Sequence, residues 1–471
     1  MVGASMNEIV IRTKEDVADF VGRQPMTRSG FGVVLIALGG VFVDAYDFAS
    51  LGIGVSGLRA EFNLAPSQLG TITAIMGVGA VIGGVAGGYL TDKVGRLRMF
   101  VVDLICLVIA TLGAALAPNI YVLLFFRFLM GVGVGLDYPV AFSFLAEFVN
   151  RTRRAGSIAL WVFLWQVAVA VSVMVALAIY MLGYIDHLWR FAVGFGAIPA
   201  LIILLLRGKY MWESPIWAAH HAGLAEAARL LEKTYHVKVR VEESFAKAVE
   251  VVSTSYTAIF SQPYLARTVL VSVVSITQSL EYFAVGFYLP SISSVIFGHD
   301  FVYAAIGTLV STVAGVIGGL IAAAYVDKVG IRRLIIVGYT IVTVSLLLFW
   351  WTAGHVSPYV SIMLIYFFIL GQTVGPGSVS ASLAALSYPT LLRGTGTGWA
   401  QGMVRIGTII GLFFFPPLLA KIGLSNLMLA LSLSPLSGLL ALWLIKWEPV
   451  GSPIADGGVE GNAIPGANHA T

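Results

Sequence analysis

Residues 31–57, FGVVLIALGGVFVDAYDFASLGIGVSG, form an apolar run that carries two carboxylates, Asp44 and Asp47, near its middle. A helix of about 20 apolar residues spans the roughly 30 Å hydrocarbon layer of a bilayer, and an acid at that depth costs at least about 2.5 kcal/mol on insertion scales. Residues three apart share one face of a helix, so both acids point the same way. We therefore predict that this face, with Tyr46 beside it, lines a polar cavity through which a proton or a solute moves.

The composition indicates a polytopic membrane protein. Of the 471 residues, 58% are hydrophobic and only 11% are charged, whereas about 25% of the residues in soluble domains are charged. The formal charge of +4 does not point to nucleic acid, because in a membrane protein the positions of basic residues matter more than their sum. Cys106 is the only cysteine, and none of the seven histidines falls inside an apolar span. We therefore expect no internal disulfide, no metal site and no cofactor.

Hydropathy and sequence breaks predict twelve membrane-spanning helices in two sets of six. The first set is expected near residues 30–54, 67–90, 97–117, 120–147, 155–182 and 189–207. The second set is expected near residues 267–290, 301–325, 333–353, 359–387, 396–420 and 424–446. The predicted fold class is an all-α polytopic membrane protein with two pseudo-symmetric six-helix bundles.

These spans divide the chain into five regions. The two bundles occupy residues 28–207 and 266–447, and between them residues 208–265 form a linker with an amphipathic helix near 223–235. Residues 1–27 are a polar segment without the apolar core of a cleavable signal peptide. Residues 448–471 are rich in Gly, Pro, Asn and Ala, and we expect a disordered tail.

Arginine and lysine concentrate in alternate loops. The basic loops hold Lys93, Arg96 and Arg98, then Arg151, Arg153 and Arg154, then Lys328, Arg332 and Arg333, and finally Arg393. By the positive-inside rule these loops, the linker and both termini are cytoplasmic.

The two halves also repeat one motif. Residues 88–98, GYLTDKVGRLR, follow span 2, and residues 324–333, AYVDKVGIRR, follow span 8. Their shared core Asp-Lys-Val-Gly begins at Asp92 and recurs 235 residues later at Asp327. A six-plus-six duplication predicts a solute site near the membrane midplane between the halves, with transport by rocking of one half against the other.

In these motifs the chain resembles the major facilitator superfamily over roughly residues 20–447. The loop at Asp92 is similar to the superfamily's signature between spans 2 and 3, and residues 127–135, RFLMGVGVG, resemble its fourth-span motif. Trp189-Arg190 and Glu213-Ser214-Pro215 resemble the sugar-porter-like branch. The resemblance implies a multi-pass monomer in the lipid bilayer of a bacterial inner membrane.

The resemblance also implies that charges at the cytoplasmic helix ends latch a gate. We expect this role for Asp92, Arg96, Arg98, Arg127, Glu147, Arg154, Asp327, Arg332 and Arg393. The alternative is solvated charge that pairs locally or satisfies helix ends. Leu386 stands where sugar porters carry a second acid, so the second half departs from the family's charge network.

Two further spans carry acids near the midplane. Asp137 and Tyr138 precede a proline on span 4 and resemble the substrate site of phosphate:proton symporters, and the alternative is a kink with a satisfied acid. On span 7, Glu281 follows Gln278, which lines up with a sugar ligand of the sugar porters. Phe283 stands where those proteins use an asparagine. Because a sugar needs many hydrogen bonds to replace lost water, the missing amide argues against a hexose.

Arg405 lies on span 11, twelve residues or about 18 Å of helix beyond Arg393. Snorkelling to either surface is hard from there, and a guanidinium offers paired donors that fit a carboxylate or phosphate. The alternative is a permanent salt bridge to an acid on span 1, 4 or 7. Residues 398–407, GWAQGMVRIG, resemble the aromatic-acid:proton symporters, as does Asp44-Ala-Tyr-Asp47.

Together these residues predict a proton-coupled symporter that imports a small organic anion, such as an aromatic or other carboxylic acid, by alternating access. The candidate proton-coupling acids are Asp44, Asp47, Asp137 and Glu281. Against Arg405 they give the cavity a formal charge of −3 when all are ionised. We expect proton uptake to neutralise one or more of them and to release Arg405 for the anion.

The candidate substrate-binding residues combine one cation with rings and amides. They are Arg405, Tyr46, Tyr138, Gln166, Gln278, Gln372, Trp399 and Gln401. For the amides and Trp399 the alternative is packing between helices.

Other functions stay open. They are a phosphate:proton symporter, a transporter of a sugar or other neutral solute, a carrier of organic cations, and a non-transporting sensor, for which the short linker leaves little room. No nucleophile–base pair, metal cluster or phosphate loop stands out, so we expect no enzymatic activity.

Overall fold

The protein is described by a computed structural model. It covers residues 8–24, 28–149, 154–184, 187–235, 237–242, 256–297, 300–388 and 390–450. Within these ranges the chain is almost entirely helical, and the one sheet has two short strands.

The first half contains six spans. They are built from α2 (Arg28–Ala37) with α3 (Gly39–Phe62), α4 (Pro66–Val94), α5 (Arg96–Ala115), α6 (Ile120–Phe148), α7 (Arg154–Met181), and α8 (Leu188–Phe195) with α9 (Ala197–Tyr210). Before them come β1 (Glu8–Ile11) and α1 (Lys14–Arg23). After them come α10 (Pro215–His221), α11 (Leu224–Tyr235), β2 (Lys238–Val241) and a 3-10 helix over Tyr256–Phe260.

The second half is built in the same way. Its helices are α12 (Gln262–Val285), α13 (Leu289–Ile296), α14 (Phe301–Val329), α15 (Ile331–Thr352), α16 (Pro358–Val374), α17 (Pro376–Leu386) and α18 (Thr390–Leu444). In the described residues, 11 helical segments are long and apolar enough to cross a membrane. Gly423, with φ 75° and ψ 168°, breaks α18 into two spans. The prediction of an all-α protein with twelve spans is thereby confirmed.

Several spans are broken near their middle. The first span changes direction at Leu38, the sixth at Gly196 and the tenth at Gly375, where Pro376 has no N–H to continue the helix. In a bilayer, interrupted helices are tolerated only where the freed backbone groups face protein or a polar cavity. The breaks are therefore expected to pack against protein, as Gly375 does against Gly338 of α15.

The two halves meet through α4 with α18 and through α7 with α14. Near one end of this contact the Thr73 and Tyr288 hydroxyls lie 2.8 Å apart, and Tyr288 also donates to the Leu412 carbonyl oxygen at 3.0 Å. We call the end that carries the two Asp-Lys-Val-Gly loops the motif end. The hydrogen bond between Thr73 and Tyr288 joins the two halves at the opposite end.

The repeated loops are closed by two equivalent carboxylates. Glu213 accepts the backbone N–H groups of Arg96 and Leu97 at 2.9 and 3.2 Å. In the second half Glu448 accepts those of Ile331 and Arg332 at 3.1 and 3.0 Å. Each acid caps the free donors and the positive dipole end of a helix, at α5 and at α15. Glu448 is therefore an integral part of the second half, although we assigned it to a disordered tail.

The loop glycines make this capping possible. Gly95 and Gly330 have φ 102° and 96°, a region that residues with a side chain rarely adopt. A Cβ at either position would lie 2.5 or 2.7 Å from the carboxylate of the capping acid. Backbone geometry therefore explains why both copies of the Asp-Lys-Val-Gly sequence end in glycine.

The predicted gating residues at the motif end differ in exposure. Arg96 is buried, and Arg332 donates to the Leu442 carbonyl oxygen at 2.8 Å, whereas Arg98 and Asp327 are exposed. The side chains of Asp92, Glu147, Arg154 and Arg393 lie outside the described part of the chain. The gating role of these residues stays a prediction.

The N-terminal segment and the linker fold together, which we did not predict. Strands β1 and β2 pair in parallel, with Glu8 opposite Lys238. Their helices α1, α10 and α11 share a small hydrophobic core of Ile11, Val17, Val21, Ala218, Ala219, Ala227, Leu230 and Leu231. The helix predicted near 223–235 is present as α11. Four-residue strands separated by more than 200 residues carry no local signal of pairing.

Tyr235 attaches this α/β unit to the first bundle. Its ring stacks on Phe148 at the end of α6, with centroids 6.2 Å apart, and meets the edge of Phe20 at 5.6 Å. Burial raises the pKa of Tyr235 to about 12. The unit therefore packs against span 4 through aromatic contacts.

The carboxylate caps can be tested by hydrogen exchange. In Glu213→Gln we expect amides 96 and 97 to exchange about tenfold faster, because losing a charged cap costs about 1–2 kcal/mol locally. Glu448→Gln is expected to do the same at amides 331 and 332. Glu226→Gln, at an exposed acid of α11, is the control. Unchanged exchange at α5 and α15 would show that these carboxylates do not hold the helix ends.

Candidate functional site

A cavity lies between the two halves, where α6, α7, α12, α16, α17 and α18 converge. Its volume is about 60 Å³. It is lined by Tyr138, Phe142, Trp161, Val162, Trp165, Gln166, Gln278, Tyr282, Phe283, Gln372, Thr373, Gly377, Ser380, Ala381, Gln401, Val404 and Arg405. Both halves contribute, as the internal repeat predicts for a transport site.

The lining has a distinct chemical character. Six of its side chains are aromatic and four are glutamines. Arg405 is the only charged side chain among the described residues that line it. The walls therefore suit a flat apolar body, and the polar groups suit one anionic end.

Arg405 is buried, with 6% of its surface exposed. Its guanidinium carbon lies 4.8 Å from the centroid of the Tyr138 ring, a cation–π contact. Among the described residues no carboxylate oxygen lies within 4.0 Å of its guanidinium nitrogens. The permanent salt bridge that we considered for Arg405 is thus absent from this part of the chain, and the cation rests on a ring face.

Asp44 is not part of the described cavity lining and is completely buried. Neither of its carboxylate oxygens has a hydrogen-bond partner among the described residues. Its charge interacts with those of Asp137, Arg405, Asp47 and Arg207. Asp44 is therefore an acid without a described hydrogen bond, whose charge links Arg405 to the other buried charges of the first half.

Arg207 holds two of the acids and was missed at the sequence level. Its Nη2 donates to Asp137 Oδ1 at 2.8 Å, and its Nη1 lies 3.2 Å from Asp103 Oδ2. The guanidinium also stacks on the Phe100 ring at 4.0 Å and donates to the Ala37 carbonyl oxygen at 2.9 Å. We had placed Arg207 at the end of span 6, where a basic residue normally reaches the interface.

Asp47 occupies a separate position on the same helix. Its Oδ2 accepts a hydrogen bond from Thr111 at 3.0 Å, and its Oδ1 has no described partner. The charge of Arg127 on span 4 acts on it. Arg127 is fully buried, so it lies in the bundle interior rather than among the exposed charges of the motif end. Tyr46 donates to the Ala192 carbonyl oxygen at 3.0 Å.

Seven of the buried charges among the described residues interact as one set of four acids and three bases. They are Asp44, Asp47, Asp103, Asp137, Arg127, Arg207 and Arg405. Their formal sum is −1 when all are ionised, and a single proton would make the set neutral. The charge of −3 that we expected does not describe the cavity, because none of the four predicted acids is in its lining.

Glu281 is isolated in the second half. It is fully buried, neither oxygen has a described hydrogen-bond partner, and it does not line the cavity. Its charge acts on Tyr339, whose hydroxyl lies 2.6 Å from that of Thr277. The structure therefore separates Glu281 from the acids of the first half.

Six of the eight predicted substrate-binding residues line the cavity: Tyr138, Gln166, Gln278, Gln372, Gln401 and Arg405. Tyr46 and Trp399 do not. The Trp399 indole donates to the Ser272 hydroxyl at 2.7 Å and packs on Phe260.

Several lining residues escaped the sequence reasoning, although a local signal existed. Phe142 and Tyr282 each lie four positions from a predicted lining residue, on the same helix face. We considered Phe283 in the sequence only because it stands where sugar porters have an asparagine, and we did not predict that it lines the cavity. Extending each predicted position by one helical turn would have found the first two.

The fold and the sequence both match known transporters. The chain superposes on the proton:xylose symporter XylE bound to 6-bromo-6-deoxy-D-glucose with a TM-score of 0.73 and 21% identity, covering 90% of this chain and 98% of that chain. It is 25% identical to the inner membrane metabolite transport protein YgcS of Escherichia coli (strain K12), over 93% of this chain and 96% of the relative.

A third similarity concerns a relative with a named substrate. The chain is 27% identical to the niacin transporter NiaP of Acinetobacter baylyi, over 80% of this chain and 84% of the relative. The profile of the Major Facilitator Superfamily matches residues 37–412. The chain therefore belongs to the Major Facilitator Superfamily.

Proposed function

We propose that this membrane transporter is a proton-coupled symporter that imports a small aromatic or other carboxylate anion by alternating access. The observation that carries the proposal is Arg405, the one charged side chain in the described lining of an aromatic cavity, which rests on the Tyr138 ring instead of on a described acid. A carboxylate matches the paired donors of a guanidinium, and a flat ring matches the walls. The relative named for niacin supports this class, because niacin is an aromatic carboxylic acid.

Proton coupling follows from the charge of the buried set. With all groups ionised, Asp44 attracts Arg405 and competes with an entering anion. A proton on Asp44 removes the competitor and neutralises the set, so the anion and the proton are favoured together. When the proton leaves on the other side, Asp44 regains its charge and favours release of the anion. Asp47, Asp137 and Glu281 are the other candidate proton sites.

The observations weigh against the alternatives. Phosphate carries up to two negative charges near neutral pH, and the described lining offers one cation among six rings. An organic cation would be repelled by Arg405. A sugar could use the four glutamines, but the cavity devotes much of its wall to apolar rings.

We further propose the orientation and boundaries that the loops predict. The motif end, the α/β unit and both termini are cytoplasmic, and the protein acts as a monomer in a bacterial inner membrane. The two bundles, at 28–207 and 266–447, rock against each other around the cavity.

Replacing Arg405 tests the anion site. For the purified protein in detergent, we expect benzoate at saturating concentration to raise the melting temperature, since a ligand at about 100 times its dissociation constant stabilises by about 2.7 kcal/mol. Arg405→Ala should weaken binding at least about 30-fold, because truncating one partner of a buried charge pair costs about 2 kcal/mol or more.

Arg405→Lys is the matched control, which keeps the charge but loses the paired donors, and we expect an intermediate affinity. If sugars or amines stabilise the protein instead, or if Arg405→Ala binds benzoate as well as the wild type, the proposal is wrong.

Replacing Asp44 tests the coupling. Asp44→Asn mimics the protonated acid. We expect the anion affinity of the wild type to rise as the pH falls from about 7.5 to about 5.5, and the affinity of Asp44→Asn to stay constant over this range. In proteoliposomes we expect exchange of labelled anion to persist and uphill accumulation driven by a pH gradient to be lost.

Asp300→Asn is the control, because Asp300 is an exposed cap of α14 and asparagine caps equally well. An Asp44→Asn protein that keeps the wild-type pH dependence would remove Asp44 from the proton path.

A further inference from the structure

The Tyr282 hydroxyl, at the inner wall of the cavity, has an unusual set of partners. It accepts a hydrogen bond from the Trp165 indole N–H at 2.5 Å and another from the Gln166 amide at 3.2 Å. A phenol oxygen has two lone pairs and one proton. Both acceptor positions are therefore occupied, and the only hydrogen-bonding capacity left to Tyr282 is its own proton.

That proton has no protein acceptor among the described residues. In both hydrogen bonds that the hydroxyl makes with described residues, the Tyr282 oxygen is the acceptor. Tyr282, Trp165 and Gln166 all line the cavity. The two N–H groups thus fix the hydroxyl as a donor toward the space that the ligand would fill.

A row of rings leads from Arg405 to this donor. Tyr138, which carries the guanidinium, meets Trp161 at 6.2 Å between centroids, Trp161 meets Trp165 at 6.1 Å, and Trp165 meets Tyr282 at 6.2 Å. The row gives one side of the cavity a continuous aromatic surface, with a cation at its beginning and a neutral donor at its end.

The two polar groups lie at different depths. Gly407, two residues beyond Arg405, packs against Ile276 and Ser279 on α12. Tyr282 therefore lies nearer than Arg405 to the end of the protein that carries Tyr288. The difference is roughly six residues of helix, or about 9 Å at 1.5 Å per residue. A carboxylate held by Arg405 would place its ring along the row and the far edge of that ring toward the Tyr282 hydroxyl.

We infer that Tyr282 is a specificity-determining residue that selects aromatic carboxylates with a hydrogen-bond acceptor at the ring edge away from the carboxylate, such as a pyridine nitrogen. A plain C–H edge at that point leaves the buried phenol proton without a partner, which is unfavourable. This inference rests on the proposed function, because it takes the carboxylate to be bound at Arg405.

The test compares ligands that differ at one ring atom. Binding of benzoate, pyridine-3-carboxylate and pyridine-4-carboxylate to the purified protein is measured at neutral pH, where the pyridine nitrogen is unprotonated. We expect at least one pyridinecarboxylate to bind about fivefold more tightly than benzoate, as one net hydrogen bond of about 1 kcal/mol gives. This comparison needs no variant and stands even if a substituted protein fails to fold.

Tyr282→Phe keeps the ring and removes the hydroxyl, both its donor proton and the oxygen that accepts from Trp165 and Gln166. We expect the preference for a pyridinecarboxylate over benzoate to fall to about one. Tyr388→Phe is the matched control, because its hydroxyl bonds Thr268 at 2.9 Å in a core away from the cavity, and it should keep the wild-type preference.

Two results separate the inference from the proposed function. Equal affinity for benzoate and both pyridinecarboxylates, or a preference that survives in Tyr282→Phe, overturns the role of Tyr282 and leaves the carboxylate site intact. Failure of all three carboxylates to bind the wild type, or binding that Arg405→Ala does not weaken, overturns the carboxylate site and with it this inference.

Discussion

Buried charge in an apolar bundle is the constraint on which the rest of this structure depends. Arg207 satisfies it fully, because Asp103, Asp137, the Phe100 ring and a backbone carbonyl surround its guanidinium. Asp44 does not, since no described group bonds its carboxylate. The described set of four acids and three arginines has a formal charge of −1 when all are ionised, so binding of one proton makes it neutral. In such surroundings the state with the proton, or with a balancing ligand, is favoured over the bare ionised state.

The cavity lies beside this set of charges, but none of the four aspartates is in its described lining. Arg405 belongs to both: its charge acts on Asp44, and its side chain lines the wall. This arrangement would give the proposed coupling a physical basis, because a proton on Asp44 and an anion at Arg405 would change the same electrostatic balance. In the proposed mechanism an acid-rich first span is compatible with an anionic solute, since none of these acids lines the cavity and the solute meets the arginine.

Much of the fold followed from apolar run lengths, loop charges and the repeated Asp-Lys-Val-Gly motif, which are local signals. The cavity was partly predictable, because Arg405 and the glutamines are polar residues in the middle of apolar spans. Arg207 was not, since it ends a span and its partners lie 70 and 104 residues away. The same limit hid the pairing of β1 with β2 and the capping role of Glu448, which exist only once distant segments meet. Tyr282 was hidden differently, because its significance comes from which atoms occupy its oxygen.

In the proposed mechanism, binding of an anion at Arg405 and of a proton in the aspartate set are one coupled event. The most direct measurement is calorimetric titration of the purified protein with benzoate at one pH, in two buffers of different ionisation enthalpy. The difference in heat reports protons taken up from the buffer. We predict uptake of a substantial fraction of a proton, up to about one, for each anion bound near neutral pH. Saturable binding of the anion with no proton uptake at any pH between about 5.5 and 7.5 would contradict the coupling.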